Sequence, residues 1–211
     1  MTRKETYSHI YRQLFGLYGN CVCPLDHDSP FQLLVAVMLS AQCRDERVNQ
    51  VTEKLFDIAP DAAAMSDTPV EKIEEIIRPC GLSNNKSRNL HECARIIAVE
   101  FNGEVPREMD QLTKLPGIGR KSANVLLGNC FDIPGFPVDT HVNRLLNRIG
   151  MVKTTSPEAI EADVNRNVPP ELWTNFSHLL IQHGRQVCSS RAPQCGNCPL
   201  ADICKKVNVK K

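Results

Sequence analysis

A surplus of charge of one sign is the first thing missing from this sequence. Its 25 Lys and Arg stand against 24 Asp and Glu, a formal net charge of +1 over 211 residues. Bulk electrostatics therefore does not announce a polyanionic partner. Long apolar runs are missing too. The longest, FQLLVAVMLSA at residues 31–41, is far short of the roughly 20 residues a bilayer-spanning helix needs, and reads as a buried core helix. The first residues, MTRKETYSHIYRQLF, carry charges but no apolar segment followed by a small-residue cleavage site. No secretory leader is expected, and the chain is expected in the cytoplasm. Repeats and low-complexity tracts do not stand out. Alternating β-branched runs between turns are nearly absent, which argues against a sheet.

Helical periodicity is what the chain has instead. Leu90, Ala94, Ile97, Ala98 and Phe101 share one face of a helix in residues 84–101, and Val48, Val51, Leu55 and Ile58 share a face in residues 45–58. Pro and Gly punctuate the chain at Pro60, Pro69, Pro79–Gly81, Gly103–Pro106, Pro116–Gly119, Pro134–Pro137 and Pro169–Pro170. The expectation is an all-α protein of about ten short helices joined by short turns. Its charge is unevenly spread. Acids gather at Glu53, Asp57, Asp61, Asp67, Glu71, Glu74 and Glu75, and bases at Arg185, Arg191, Lys205, Lys206, Lys210 and Lys211. The pattern is compatible with a nucleic-acid-facing side and a solvent side, and equally with chance clustering on a solvated surface.

There are 10 cysteines. Cys21, Cys23, Cys43, Cys80, Cys93 and Cys130 are scattered, and without a leader they read as small apolar residues in or near a core rather than as disulfides. Cys188, Cys195, Cys198 and Cys204 are different. Their spacing, C-x6-C-x2-C-x5-C, contains one C-x2-C knuckle where zinc ribbons pair two. Uneven spacers in one compact loop favour an iron–sulfur cubane, with zinc or no metal as alternatives. In either metal case the default role is to order a segment poor in apolar residues.

Three further features carry chemistry. Residues 112–127, LTKLPGIGRKSANVLL, place a Leu115-Pro116-Gly117-Ile118-Gly119 turn directly before a helical pattern. Glycines permit a tight turn, and amides of the turn and of the first helical turn can hold a phosphate. That describes a helix–hairpin–helix motif; a plain helix–helix turn is the bland alternative. Lys121 falls in the first turn after the hairpin. A cation there is opposed by the helix dipole, which favours the neutral, nucleophilic amine; a phosphate-contacting lysine is the competing reading. In PGFPVDTHVNRLLNRI, residues 134–149, Asp139 sits at a helix N-cap. It is either a cap alone or a carboxylate that also supports positive charge or moves a proton. His141 is read mainly as a satisfied surface residue.

Taken together, LLVAVMLSAQCRDERVN, GLSNNKSRNL, NGEVP, LPGIGRKSANVLL, VDTHVNRLLNRIG, LIQHGRQVC and the cysteine run resemble the endonuclease III family of helix–hairpin–helix DNA glycosylases. The resemblance spans about residues 30–204. It implies a bilobal all-α fold: a six-helix barrel lobe, residues 24–134, carrying the hairpin, and a discontinuous lobe, residues 1–23 and 135–211, binding a 4Fe–4S cluster through the four cysteines. It also implies a cleft with Lys121 and Asp139 on opposite sides. Lys121 then matches the nucleophile of the bifunctional members and Asp139 the essential carboxylate. Gln42 matches the residue that fills the gap left by an extruded nucleotide, and Leu82 the wedge in the base stack. Leu115, Gly117, Ile118, Gly119, Arg120, His141, Arg144 and Arg185 complete the implied DNA contacts. The implied activity is base excision repair of oxidised pyrimidines in duplex DNA by glycosylase and lyase steps, by a monomer in a bacterial or archaeal cytoplasm at the nucleoid. Adenine and mismatched-thymine glycosylases of the superfamily are rival readings, both expected to lack a lysine at the position of Lys121; a non-catalytic DNA-binding iron–sulfur protein is another. Two departures stand out. The SSRAPQ loop between Cys188 and Cys195 holds one base, and Ser83 follows the wedge leucine where an aromatic is common.

Overall fold

In the computed structural model, which describes residues 1–209, the chain is all-helical, with no strand among the described residues. It divides into two compact units, residues 23–133 and residues 1–22 with 134 onward, and each closes around its own core. Lys210 and Lys211, the last two bases of the C-terminal cluster, lie outside the described residues.

The unit of residues 23–133 runs through α2 (Pro30–Leu39), α3 (Asp45–Ile58), α4 (Ala62–Asp67), α5 (Val70–Ile77), α6 (Ser83–Glu100), α7 (Met109–Leu112) and α8 (Arg120–Cys130). Helix α2 begins where Ser29 accepts from the Gln32 amide and Pro30 takes the first helical position, which needs no amide donor. It is apolar all round. Phe31 and the run Leu33–Leu39 are buried, so it is the central element and not an amphipathic wrapper. Helices α3, α6 and α8 pack against it. On α6, Leu90, Ala94 and Ile97 are buried as their spacing requires, while Ala98 and Phe101 only border the core.

On α3, Val48, Val51 and Leu55 are buried but Ile58 is 43% exposed. The expected inward position is corrected at the last residue of the helix. The chain leaves its helical path at Ala59, which is itself fully buried and takes the place in the core. Cys80 and Cys93 are buried, and Cys23, Cys43 and Cys130 pack against this core.

The second unit comprises α1 (Arg3–Tyr18), α9 (Thr140–Ile149), α10 (Pro157–Asn167) and α11 (Trp173–Gln186). Its core gathers Tyr7, Ile10 and Leu14 of α1, Val142, Leu145, Leu146 and Ile149 of α9, Ile160 and Val164 of α10, and Phe176, Leu179 and Leu180 of α11. A Thr2–Glu5 capping box starts α1. Asp163 of α10 ties that helix down, accepting from the Tyr7 hydroxyl at 2.6 Å and from the Arg3 guanidinium at 2.8 Å.

Candidate functional site

The hairpin is built from buried anchors and open backbone. Leu115 and Ile118 are 3% and 5% exposed, so their side chains belong to the core, and anything they offer a ligand is main chain. Gly117 has φ +81°, and a Cβ there would stand 2.8 Å from the Met38 methyl. Only glycine meets both demands without strain. Gly119 is the N-cap of α8 and has no side chain to accept from the helix. The first amides of α8 therefore have no intrahelical acceptor and no cap. A Cβ at Gly119 would meet nothing within 4 Å, so the backbone is open at that point. Such an N-terminus is suited to an anion.

Lys121 occupies the second position of α8 and is exposed, with no hydrogen bond or ion pair to another described residue. Its ammonium is not committed to a structural bond. Arg120 beside it is also exposed.

In the same unit, Gln42 and Leu82 share an uncommon backbone state. Their φ angles are +57° and +51°, in the left-handed region that side-chain-bearing residues rarely enter. Gln42 is exposed, and Leu82 is 56% exposed although apolar. Leu82 also precedes α6 with no side-chain cap. An apolar side chain held out on a strained backbone is the arrangement a wedge requires.

In the other unit, Asp139 is the N-cap of α9. Its Oδ1 accepts from the amides of His141 and Val142, each at 2.8 Å. The bonding of Oδ1 accounts for the cap. The residue is only partly buried, and Oδ2 has no hydrogen-bond partner among the described residues.

The His141 Nδ1 lies 3.0 Å from the Arg144 guanidinium. Burial holds the His141 imidazole below its ordinary pKa, so the ring favours the neutral form. Arg144 donates to the carbonyls of Gly184 and Cys188 at 2.8 and 3.0 Å. Most of its donors therefore brace α9 against the end of α11. Gly184 permits that approach: a Cβ there would stand 2.8 Å from the His141 Cβ. Arg185, on α11, is exposed.

The four C-terminal cysteines converge. Cys188, Cys195, Cys198 and Cys204 line one pocket with an empty volume of about 330 Å3, open in part to solvent. Burial pushes the Cys198 thiol up, its hydrogen bond with the Leu200 amide opposes that, and the three other sulfurs add to the rise. Burial pushes the Cys204 thiol up as well, and a cationic centre among the four sulfurs would relieve both. Among the described residues, however, no three His, Cys, Asp or Glu side chains stand close enough together to hold a single metal ion.

Two residues that sequence reasoning passed over support this pocket. Arg148, 8% exposed, donates to the Ser189 and Ser190 carbonyls, both at 2.7 Å, and to the Cys188 sulfur at 3.4 Å. His183, 1% exposed, places Nε2 3.3 Å from the Cys198 sulfur and Nδ1 3.0 Å from the Tyr18 hydroxyl. Burial lowers its pKa to about 4, so the ring is neutral. With the Tyr18 hydroxyl donating to Nδ1, Nε2–H donates to the sulfur. The available signal was positional, since Arg148 lies one helical turn after Arg144 and His183 one turn before Val187, beside the first cysteine.

Comparison with known proteins gives this geometry a context. Residues 35–170 match the family described as HhH-GPD superfamily base excision DNA repair protein. Endonuclease III of Synechocystis sp. (strain PCC 6803) is 47% identical over 204 residues, 96% of this chain and 93% of that protein. Endonuclease III of Escherichia coli (strain K12) is 42% identical over 181 residues, 86% of each. Among solved structures, a non-covalent endonuclease III–DNA complex is similar with a TM-score of 0.93 at 38% identity, over 98% of this chain and 97% of that one. A trapped endonuclease III–DNA covalent intermediate matches to the same degree. A thermostable thymine-DNA glycosylase shares the fold, with a TM-score of 0.85 at 22% identity.

Proposed function

Because the chain belongs to the endonuclease III family of the HhH-GPD superfamily of base excision DNA repair proteins, we propose that it is a bifunctional DNA glycosylase and abasic-site lyase that uses Lys121 as its nucleophile and takes oxidised pyrimidines from double-stranded DNA. The observation that supports the reading most is the state of Lys121: an exposed amine without a partner among the described residues, one residue into a helix whose open N-terminus follows a glycine hairpin. A phosphate held by those amides would bring the sugar-phosphate backbone to the lysine.

The chemistry follows from the groups. A base inside a duplex is out of reach, so its nucleotide must be extruded, at least cost when the base is damaged and stacks badly. The unprotonated Lys121 amine attacks the anomeric carbon, and the base leaves with the electron pair of the glycosidic bond. The attached nitrogen gives up a proton and its electron pair expels the ring oxygen, which takes up a proton as the sugar opens to an iminium, and the iminium acidifies the neighbouring C–H. Loss of that proton expels the 3′ phosphate, which breaks the strand. To Asp139 we assign support of the positive charge that develops on the sugar, or movement of a proton, through the carboxylate oxygen its cap leaves uncommitted. Gln42 and Leu82 take the space the nucleotide vacates. Gly117, Gly119 and Arg120 hold the backbone, with Leu115 and Ile118 acting as the buried anchors of the hairpin and His141, Arg144 and Arg185 as the DNA contacts of the second unit.

The cysteine pocket supports a 4Fe–4S cluster held by Cys188, Cys195, Cys198 and Cys204. Four thiols around one cavity suit a polynuclear group. Such a cluster would supply covalent cross-links to a segment that has little apolar burial of its own. The reading includes a monomer working in the cytoplasm. Among the described residues no helix is long and apolar enough to cross a membrane.

Lys121→Ala tests the assignment. Incubated with borohydride and a duplex containing an abasic site, the wild-type chain is expected to be trapped on the DNA and the variant not. Trapping that survives in the variant would reject Lys121 as the nucleophile.

A further inference from the structure

Lys86 is buried with no acidic hydrogen-bond partner among the described residues. It lies on the core face of α6, one turn before Leu90, and is 6% exposed. Its ammonium donates to the carbonyls of Leu39 and Ala41, both at 2.8 Å, and of Cys80 at 2.9 Å. An ammonium has three donors, and three carbonyls take them. Leu39 and Ala41 lie at the C-terminal end of α2, and Cys80 closes the 3-10 turn Arg78–Cys80. Helix C-termini carry partial negative charge and orphan carbonyls, so a cation there is stabilised without a carboxylate. The main chain joins the same grip, for the Lys86 amide donates to the Leu82 carbonyl at 3.0 Å.

The held atoms flank the two left-handed residues. The Ala41 carbonyl belongs to the peptide that enters Gln42, so holding it orients that peptide plane. Cys80 and the Leu82 carbonyl bracket Gly81 and the backbone of Leu82. The two segments are neighbours, since Gln42, Cys43, Cys80 and Gly81 line one open pocket with an empty volume of about 850 Å3. Left-handed backbone at Gln42 and Leu82 persists only where the surroundings over-determine it. Neither residue is braced through its own side chain, as both are exposed. The bracing comes from beneath.

We propose that Lys86 is the positioning residue for entry into the duplex: its buried ammonium locks the Gln42 and Leu82 segments in register with each other, so that both side chains meet the base stack already ordered. The inference rests on the roles assigned to Gln42 and Leu82 under the proposed function. Lys86 itself touches no DNA. Its effect is to place the ordering cost of two loops in folding and not in binding, which is how pre-organisation raises the efficiency of a recognition step. The step it serves arises only in a duplex. A single strand has no stack to enter and no gap to fill.

Lys86→Met tests this, because it keeps the aliphatic stem and removes the three donors. Single-turnover nicking is measured on one abasic oligonucleotide, single-stranded and in a duplex, with wild type, Lys86→Met and Lys86→Arg. For Lys86→Met the duplex rate should fall about tenfold or more, the consequence of losing charge-assisted hydrogen bonds, while the single-strand rate stays within about twofold. Lys86→Arg keeps the charge but replaces a tripod of donors by a planar fork, and should fall between. An equal loss on both substrates, or no loss on the duplex, would overturn the inference. If Lys86→Met does not fold, Lys86→Arg decides alone: a duplex-to-single-strand ratio below wild type supports the positioning role, and an unchanged ratio overturns it. A wild-type chain that nicks neither substrate would overturn the proposed function, and this inference with it. Wild-type nicking with an unchanged ratio in the variants would overturn the inference only.

Discussion

Asp139 divides its two carboxylate oxygens: one serves the architecture, and the other is left for the chemistry proposed above. Its Oδ1 holds two amides at the start of α9, while Oδ2 has no hydrogen bond among the described residues. The sequence left cap and catalyst as alternatives because an N-cap aspartate looks the same in both cases. The geometry makes them separable by experiment. Asn is about as good a cap as Asp, so Asp139→Asn should leave the melting temperature nearly unchanged and lower single-turnover base excision by about 100-fold or more, the scale of a lost acid–base or electrostatic group. Asp139→Ala should add a stability loss of about 1 kcal/mol. Normal turnover in the Asn variant would reduce Asp139 to a cap. Lys121 was a candidate by its place after the hairpin, but that it has no partner among the described residues was not legible. The resemblance implied Arg144 as a DNA contact, yet the structure commits most of its donors to the Gly184 and Cys188 carbonyls.

At the scale of elements, periodicity found the helices and misjudged some of their faces. The apolar stripe on α6 includes Lys86, which no hydrophobic pattern counts, although it lies four residues before Leu90 and on the same side. Helix α3 loses Ile58 to solvent because the chain departs at Ala59. The attachment of α10 to α1 was not legible at all, since Asp163, Tyr7 and Arg3 come together only in the fold. Burial raises the Asp163 pKa, but the hydrogen bonds from Arg3 and Tyr7 outweigh it and hold the carboxyl below its ordinary value. A depressed carboxylate contributes stability that is complete above the unfolded pKa and disappears as pH falls through the folded one. Thermal stability should therefore drop on acidification below about pH 4, the ordinary carboxylate range, and Asp163→Asn should flatten that part of the profile. Melting curves across this range check it; an Asn variant with an undiminished acid slope would place the effect elsewhere.

For the whole molecule, a net charge of +1 sets a limit on how DNA can be held. Affinity has to come from a few placed amides and cations and not from a basic field. Binding to an undamaged duplex should accordingly weaken with salt along a shallow line, with a slope of about −2 to −4 in log K against log salt, as for a few neutralised phosphates. A titration by fluorescence anisotropy reads this directly, and a slope near −8 would reveal a broad cationic surface that the composition gives no sign of. Each of the two units carries its own candidate residues. The hairpin with Lys121, Gln42 and Leu82 sits in one, and Asp139 with the cysteine pocket sits in the other.

The sequence alone determined whatever depends on neighbours along the chain: an all-α class from apolar spacing, a hairpin from its glycines, a capped helix at Asp139 and a four-thiol loop from cysteine spacing. These are local because dihedral preference, helical period and short loop length act over a few residues. Only the tertiary structure decided which donors are already spent. It buries Leu115 and Ile118, commits Arg144 and Arg148 to carbonyls, turns His183 toward a sulfur, and gathers three carbonyls around the Lys86 ammonium. Hydrogen bonds and desolvation join residues far apart in the chain, and no one-dimensional pattern encodes the angle at which two helices meet.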